Sequence, residues 1–156
     1  MAEGEFALVR KYLEVALGKT SVLFGEHDLY AMLVDAAAQQ RDAAAVKKYA
    51  PLAEELAGRH DHKLYQAIAH RAWGVAHQLE GQYAESEVRL KRALELFETL
   101  DMRWQIGRTL YELGELARSH GEDEAARGYF TRGLAAFEAM GAAPDARRVQ
   151  EKLAAL

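Results

Sequence analysis

Two stretches of this sequence share one pattern: WGVAHQLEGQYAESEVRLKRALELFE (residues 73–98) and LGELARSHGEDEAARGYFTRGLAAFE (residues 113–138). Gly81 in the first copy recurs as Gly121 in the second, which sets a period of 40, and both copies end in Phe-Glu. On either side of that glycine, apolar residues recur every three or four positions, which predicts two helices joined by a short turn. A helix pair repeated at a period of this size predicts a helical solenoid.

The same apolar spacing continues along the chain and predicts an all-α fold, a helical solenoid of about three helical hairpins with further helices at both ends. The predicted helices lie near 3–17, 27–40, 42–57, 61–80, 82–99, 103–119, 122–139 and 144–155. We expect at least roughly 70% of the residues to be helical, about twice the usual share. Pro51 falls inside the third helix and is expected to kink or split it, because proline lacks an N–H donor.

The 40-residue period predicts one domain in five segments. These are an N-terminal helix with a linker (1–26), three repeats (27–66, 67–106 and 107–143) and a capping helix (144–156). The first helix has two interpretations: the remaining half of an upstream repeat, or an ordinary capping helix. In the last helix, the apolar positions alternate with charged ones, as the solvent-facing end of a solenoid requires.

Composition excludes several classes of function. The formal net charge of the 156 residues is −4, which argues against nucleic acid or an anionic membrane as partner, since both favour a basic surface. The absence of cysteine excludes disulfides and thiol catalysis. No apolar run reaches the roughly 18 residues of a membrane span, and the first residues lack the order of a signal peptide. We therefore expect a cytoplasmic protein that does not associate with membranes.

The sequence predicts no catalytic site, cofactor or metal. Its serines have no histidine at a suggestive spacing, and its many carboxylates are spaced for surface ion pairs. His60-Asp61-His62 is a compact trio at a helix start, but a trio in a loop is a weak metal signal. We expect His60 and His62 to be exposed.

The repeated segments resemble the tetratricopeptide repeat, through Trp73-Gly74, Gly81-Gln-Tyr-Ala-Glu-Ser86 and Ala93-Leu-Glu-Leu96. The second copy carries Leu113-Gly114, Gly121, Ala125-Ala126, Phe130 and Gly133-Leu134. The resemblance implies paired helices that stack into a right-handed α-α superhelix, and a non-enzymatic role in binding proteins. It covers about 67–140 well; residues 27–66 match weakly, with Val34 and Arg41 at positions where the family prefers glycine.

The period of 40 departs from the family's usual 34, and the proline that closes a typical repeat is missing. The longer period resembles variant repeats in the helical C-terminal regions of large bacterial signalling proteins, such as ATPase-coupled transcription activators and nucleotide cyclases. This second resemblance implies a role in bacterial signalling or regulation. It also implies that the chain is a piece of a longer sensor, whose other domains are then candidate partners.

Gly74 and Gly114 are predicted to lie mid-helix, where a glycine costs about 1 kcal/mol relative to alanine. A close crossing by the partner helix would explain that cost, with Ala93 and Gly133 as the small residues that face the two glycines. On this interpretation, Gly114→Leu destabilises the domain by roughly 2–4 kcal/mol through overpacking.

The first helix of each pair is predicted to line a concave groove that binds the partner. Trp104, Arg108, Tyr111 and Glu115 are spaced by four, three and four positions and therefore share one side of a helix. The complete predicted groove comprises Arg71, Val75, Trp104, Arg108, Tyr111 and Glu115. The expected partner is a protein or peptide of unknown identity, and a homo-oligomer is also compatible. The alternative is a small-ligand-sensing domain of a transcription regulator or nucleotide cyclase, with the aromatic groove as its pocket.

Overall fold

The computed structural model describes residues 3–17 and 25–156, so the predicted linker at 18–24 lies outside the described residues. The described residues form eight helices: α1 (Glu3–Leu17), α2 (Glu26–Gln39), α3 (Ala43–Arg59), α4 (Lys63–Leu79), α5 (Tyr83–Thr99), α6 (Arg103–Ser119), α7 (Asp123–Ala139) and α8 (Ala143–Ala154). The structure is 85% helical and has no strand among these residues. The predicted all-α solenoid is confirmed.

All six turns from α2 to α8 have the same design. Each contains one residue in the left-handed conformation, with φ between 46° and 79°, at positions 41, 61, 81, 101, 121 and 141. The next residue donates its N–H to the carbonyl five positions earlier, as Gln82 does to His77 and Glu122 to Ala117, both at 2.9 Å. This is the Schellman ending of a helix, which satisfies carbonyls that would otherwise lack a donor.

Arg41 adopts this left-handed conformation although it is not a glycine. Its φ of 58° is close to the 76° of Gly81, its counterpart one period later. Such a φ costs an ordinary residue about 1–2 kcal/mol. The Arg41 guanidinium donates to Glu112 at 2.6 Å and to Gln78 at 3.2 Å, and these contacts offset the cost. The first repeat thus keeps the turn of the others without its glycine.

The helices are arranged in two rows. Consecutive helices pack against each other along the chain, and in addition α2 packs on α4 and α4 touches α6. The odd-numbered helices are linked by pairs of polar side chains: Glu14 with Tyr49, Glu54 with Arg89 and Glu98 with Arg132. The even-numbered helices therefore form one face of the molecule and the odd-numbered helices the other.

α1 occupies the position of the second helix of a pair. Tyr49 of α3 donates to Glu14 of α1, and Arg89 of α5 donates to Glu54 of α3; both pairs are 35 residues apart. The two acceptors are themselves one period apart, so α1 contacts α3 in the register in which α3 contacts α5.

The turns between helix pairs lie at 60–62 and 100–102. The predicted repeat boundaries at 66/67 and 106/107 fall instead within α4 and α6. The period itself is unaffected, because shifting every boundary by the same few positions leaves the spacing of 40 unchanged.

The mid-helix glycines lie at close contacts, but the residues that face them differ from those predicted. A Cβ on Gly74 would meet the Leu90 side chain at 2.5 Å, and one on Gly114 would meet the Phe130 ring at 2.5 Å. The prediction that Ala93 and Gly133 face the two glycines was wrong. A Cβ added to Gly133 would instead lie 3.4 Å from the carbonyl oxygen of Gly107. The helices meet by large side chains seated over glycines rather than by two small residues.

Pro51 does not split its helix: α3 runs unbroken through it from Ala43 to Arg59. The proline is exposed, whereas Ala50, Ala53 and Ala57 are buried. Packing of that alanine face against neighbouring helices stabilises the helix around the missing hydrogen bond.

Candidate functional site

The even-numbered helices α2, α4, α6 and α8 form what we call the even-helix face. Its centre is one carboxylate between two guanidinium groups. Asp35 of α2 accepts a hydrogen bond from Arg71 of α4 at 2.8 Å and two from Arg108 of α6, each at 3.1 Å. Gln105 adds a further acceptor, 2.6 Å from Arg71. Residues from three repeats therefore meet at a single polar cluster.

Burial makes this cluster electrostatically strong. The side chain of Arg71 is 2% exposed, that of Arg108 14% and that of Asp35 20%. Burial alone would raise the pKa of Asp35, but the guanidinium groups of Arg71 and Arg108 outweigh it and lower this pKa to about 2. Burial, and then the neighbouring Arg108, lower the pKa of Arg71 to about 10, so this side chain stays charged at neutral pH.

A second set of polar contacts continues the cluster toward the C-terminal ends of the even helices. Glu112 accepts from Arg41, and Gln78 donates to Ser119 at 3.3 Å. Glu115 of α6 accepts from Lys152 of α8 at 2.9 Å. These contacts tie each even helix to the next and hold the face in one arrangement.

Aromatic rings lie at the α6–α8 end of the even-helix face. Trp104 is 40% exposed, and its indole N–H donates to Asp145 at 3.1 Å. The Arg108 guanidinium lies 4.6 Å from the centre of the Trp104 ring, within the range of a cation–π contact. Arg148 lies 4.2 Å from the centre of the Tyr111 ring. Large aromatic side chains and arginines of this kind are favoured anchors at protein interfaces.

The structure divides the six predicted groove residues into two groups. Trp104 is exposed, and Arg108 and Glu115 are partly exposed. Arg71, Val75 and Tyr111 are buried. Tyr111 packs beside Phe130 of α7, with ring centres 5.8 Å apart, and is 6% exposed. All six lie on α4 and α6, but the spacing could not tell an exposed position from one covered by the neighbouring repeat.

Sequence reasoning missed several residues of this face. Asp145 and Arg148 were assigned only to the capping helix. The helical spacing places Asp35 among the groove-facing residues of α2, but its ion pairs with Arg71 and Arg108 were not predicted. The ion pairs of Asp35 could have been predicted only by matching one buried acid to two arginines. Arg71 and Arg108 lie 36 and 73 residues away in the sequence, so no local spacing connects them to Asp35.

Two surface depressions have volumes of about 350 and 360 Å³, and neither is lined by Trp104, Arg108 or Tyr111. The first is lined by side chains of α4 and α5, among them His77, Ala84 and Val88. The second is lined by the end of α7 and the start of α8. Within the described residues, no group of three or more His, Asp or Glu side chains could hold a metal ion.

Comparison with known families now bears on this architecture. A family model described as tetratricopeptide repeat matches residues 65–139, which span α4 to α7. Residues 65–139 are tetratricopeptide repeats. Repeats of this family are generally non-catalytic modules for protein–protein interaction. Trp104, Arg108 and Glu115 lie within the matched repeats, whereas Asp35 and Arg148 lie on the helices that flank them.

No relative was found among curated proteins. None of the described helices combines the length and the apolar character that crossing a bilayer requires.

Proposed function

We propose that this chain is a non-enzymatic interaction module that binds a protein segment on the even-helix face, with Trp104 as the anchor. The observation that carries the proposal is the exposure of Trp104. Its indole is 40% exposed and lies beside charged side chains, in the row of even-numbered helices. A segment laid across α6 and α8 would cover this ring together with the guanidinium of Arg148.

The chemistry of the surface indicates the kind of segment. Arg148 is exposed and stacks on Tyr111, and no acidic partner is found for it among the described residues. Lys152 nearby is only partly buried. An apolar or aromatic side chain for Trp104, next to an acidic side chain for Arg148, would complement both groups.

The partner would be an independent protein or another domain of a longer parent protein; the 40-residue period, which resembles that of bacterial signalling proteins, favours the second source. The net charge of −4 argues against nucleic acid as the partner.

The polar clusters that join the even helices support the proposal, because a preorganised surface loses little entropy when it binds.

The experiment is affinity capture from the source cell, followed by calorimetry with the captured partner. Trp104→Ala should weaken binding by about 1–3 kcal/mol, as expected for an anchor. The matched control is Val88→Ala, which truncates an apolar side chain 68% exposed on α5, in the other helix row. Full affinity in Trp104→Ala with loss in Val88→Ala would assign binding to the odd-numbered helices instead.

A thermal-shift screen of small molecules tests the alternative function, that of a ligand-sensing domain. A compound that stabilises the wild type but not Trp104→Ala would favour a small ligand, since a ligand that binds only the native state raises stability by mass action.

A further inference from the structure

One side of α1 is apolar and open to solvent. Leu8, Tyr12 and Val15 are spaced by four and three positions, so they share one side of the helix, and Val9 lies next to them. These four side chains, which we call the α1 stripe, are between 42% and 66% exposed. They are four of the eleven large apolar side chains that the described residues expose, and they lie within eight positions. A contiguous exposed apolar patch indicates an interaction surface.

The corresponding positions of the later odd-numbered helices are mostly charged. One period after Leu8, Tyr12 and Val15, α3 has Lys48, Leu52 and Glu55. One period later again, α5 has Val88, Arg92 and Glu95. Each of these helices has one apolar side chain among the three positions, whereas α1 has three. The repeat geometry therefore does not require an apolar side here, and a contact made only by α1 would explain it.

The α1 stripe faces away from the rest of the odd-helix row. α3 reaches Glu14 of α1 through Lys48 and Tyr49, which are the counterparts of Leu8 and Val9. The side by which α3 packs on α1 is therefore the side that α1 itself leaves uncovered. The surface through which the odd-numbered helices stack thus continues, without a partner among the described residues, into the α1 stripe.

The α1 stripe does not continue the polar contacts of that row. Tyr49 donates to Glu14, and its counterpart Arg89 donates to Glu54. The residue at this donor position on α1 is Val9, which has no side-chain donor. A preceding helix with the same glutamate would have its carboxylate covered without a hydrogen bond, which is unfavourable. An apolar surface is the better match for the α1 stripe.

The opposite end of the solenoid is not such a surface. α8 packs inward through Ala146 and Val149, and it exposes polar side chains on its outer side: Arg147, Gln150 and Glu151. Head-to-tail stacking of two chains would cover these charges with apolar groups, at a cost in desolvation. Two α1 stripes that meet about a two-fold axis bury only apolar side chains against each other. This symmetric contact is closed, as in most homo-oligomers.

We propose that the α1 stripe is the surface through which two copies of this chain associate as a symmetric dimer, with the two α1 helices packed against each other. Each copy contributes one short helix, so the dimer is of the weak, concentration-dependent class. The stripe lies on the odd-helix row and does not include Trp104, so dimerisation is independent of the proposed partner-binding surface.

The test is sedimentation equilibrium of the tag-free chain at concentrations up to about 1 mM, the range of weak specific complexes. We expect the mass to rise with concentration toward that of two chains. Leu8→Glu and Tyr12→Glu should each raise the dissociation constant at least about tenfold, because each places a charge in an apolar contact. The matched control is Val88→Glu, which places the same charge at the counterpart of Leu8 on α5, where the side chain is 68% exposed. It should dimerise as the wild type does.

Cross-linking gives a second readout that does not depend on the charged variants. The chain has no cysteine, so a flexible bismaleimide reacts with a thiol only where one is introduced. Tyr12→Cys should be joined to a second copy of itself, whereas Val88→Cys should stay single at the same concentration.

Thermal melts first establish that each variant is folded. A dimer that is weakened in Leu8→Glu and Tyr12→Glu but kept in Val88→Glu supports the proposal. A wild-type chain that stays monomeric at every concentration overturns it, and so does a dimer that survives both α1 substitutions or is weakened equally in the control. Equal cross-linking of Tyr12→Cys and Val88→Cys, or assembly beyond the dimer, would also overturn it, since the latter indicates head-to-tail stacking.

Discussion

Asp35 and Arg108 are 73 residues apart in the sequence, yet both oxygens of the carboxylate accept hydrogen bonds from the guanidinium, each at 3.1 Å. Arg71, on the helix between them, donates to the same carboxylate at 2.8 Å. One acidic side chain thus holds α2, α4 and α6 together. In a solenoid, where most contacts join neighbouring helices, this contact couples the first helix pair directly to the third.

Asp35→Asn should destabilise the chain by about 3–5 kcal/mol, because it leaves the buried Arg71 without its counter-charge. Urea denaturation measures the change. Glu87→Gln is the control: Glu87 pairs with Lys91 on the exposed surface of α5, a contact worth a few tenths of a kcal/mol. Equal effects of the two substitutions would show that the Asp35 cluster behaves as an ordinary surface ion pair.

The pKa of Asp35 predicts how stability depends on pH. This pKa is about 2 in the folded chain against an ordinary value of 3.8, so the ionised carboxylate stabilises the fold at any pH above about 4. Protonation removes that contribution, on the order of 2 kcal/mol, as the pH falls from about 4 to 2. Denaturation midpoints across this range should fall less steeply in Asp35→Asn than in the wild type. Parallel slopes would contradict the prediction.

Gly114→Ala should destabilise the chain although alanine favours helix. The new Cβ would lie 2.5 Å from the buried Phe130 ring, and overpacking of this kind outweighs the gain of about 1 kcal/mol in helix propensity, for a net loss of about 1–2 kcal/mol. Gly114→Leu should lose more, roughly 2–4 kcal/mol. Gly128→Ala on α7 is the matched control, because its Cβ would meet nothing within 4 Å. Thermal melts should show it to be more stable than the wild type.

Gly121→Ala separates backbone strain from crowding. A Cβ at this position also meets nothing within 4 Å, but φ is 79°, in the left-handed region that alanine avoids. The expected loss is about 1–2 kcal/mol. The same chemical change should therefore lower the melting temperature at Gly121 and raise it at Gly128. Changes of the same sign at the two positions would show that the turn relaxes to another conformation.

Tyr111→Ala should act on stability rather than on binding. Tyr111 is 6% exposed and packs on Phe130, so its truncation should cost about 3–5 kcal/mol. Trp104→Ala, which truncates an exposed ring, should change the melting temperature little. Denaturation of both variants, with partner affinity measured for the folded protein, tests this division. If Tyr111→Ala melts like the wild type and loses affinity, Tyr111 contacts the partner directly.

The helices and their repetition could be predicted from local sequence patterns alone. Apolar residues spaced by three and four positions are a local signal, and the copies at 73–98 and 113–138 displayed the same signal twice. The close contacts at the mid-helix glycines could also be predicted, because a costly residue in a helix indicates a close contact. The side chains that fill these contacts could not be predicted. Phe130 and Leu90, rather than Gly133 and Ala93, lie over the glycines.

Long-range packing determines which residues of the even-helix face reach solvent and which polar groups meet across it. Helical spacing assigns a residue to a side of its own helix, but the next repeat can cover part of that side. Tyr111 is covered, whereas Trp104, nearer the start of the same helix, stays exposed. The carboxylate of Asp35 and the indole of Trp104 find their partners on other helices, far along the chain. Such contacts depend on how successive helix pairs are stacked, and that stacking is a property of the whole solenoid rather than of any one stretch of sequence.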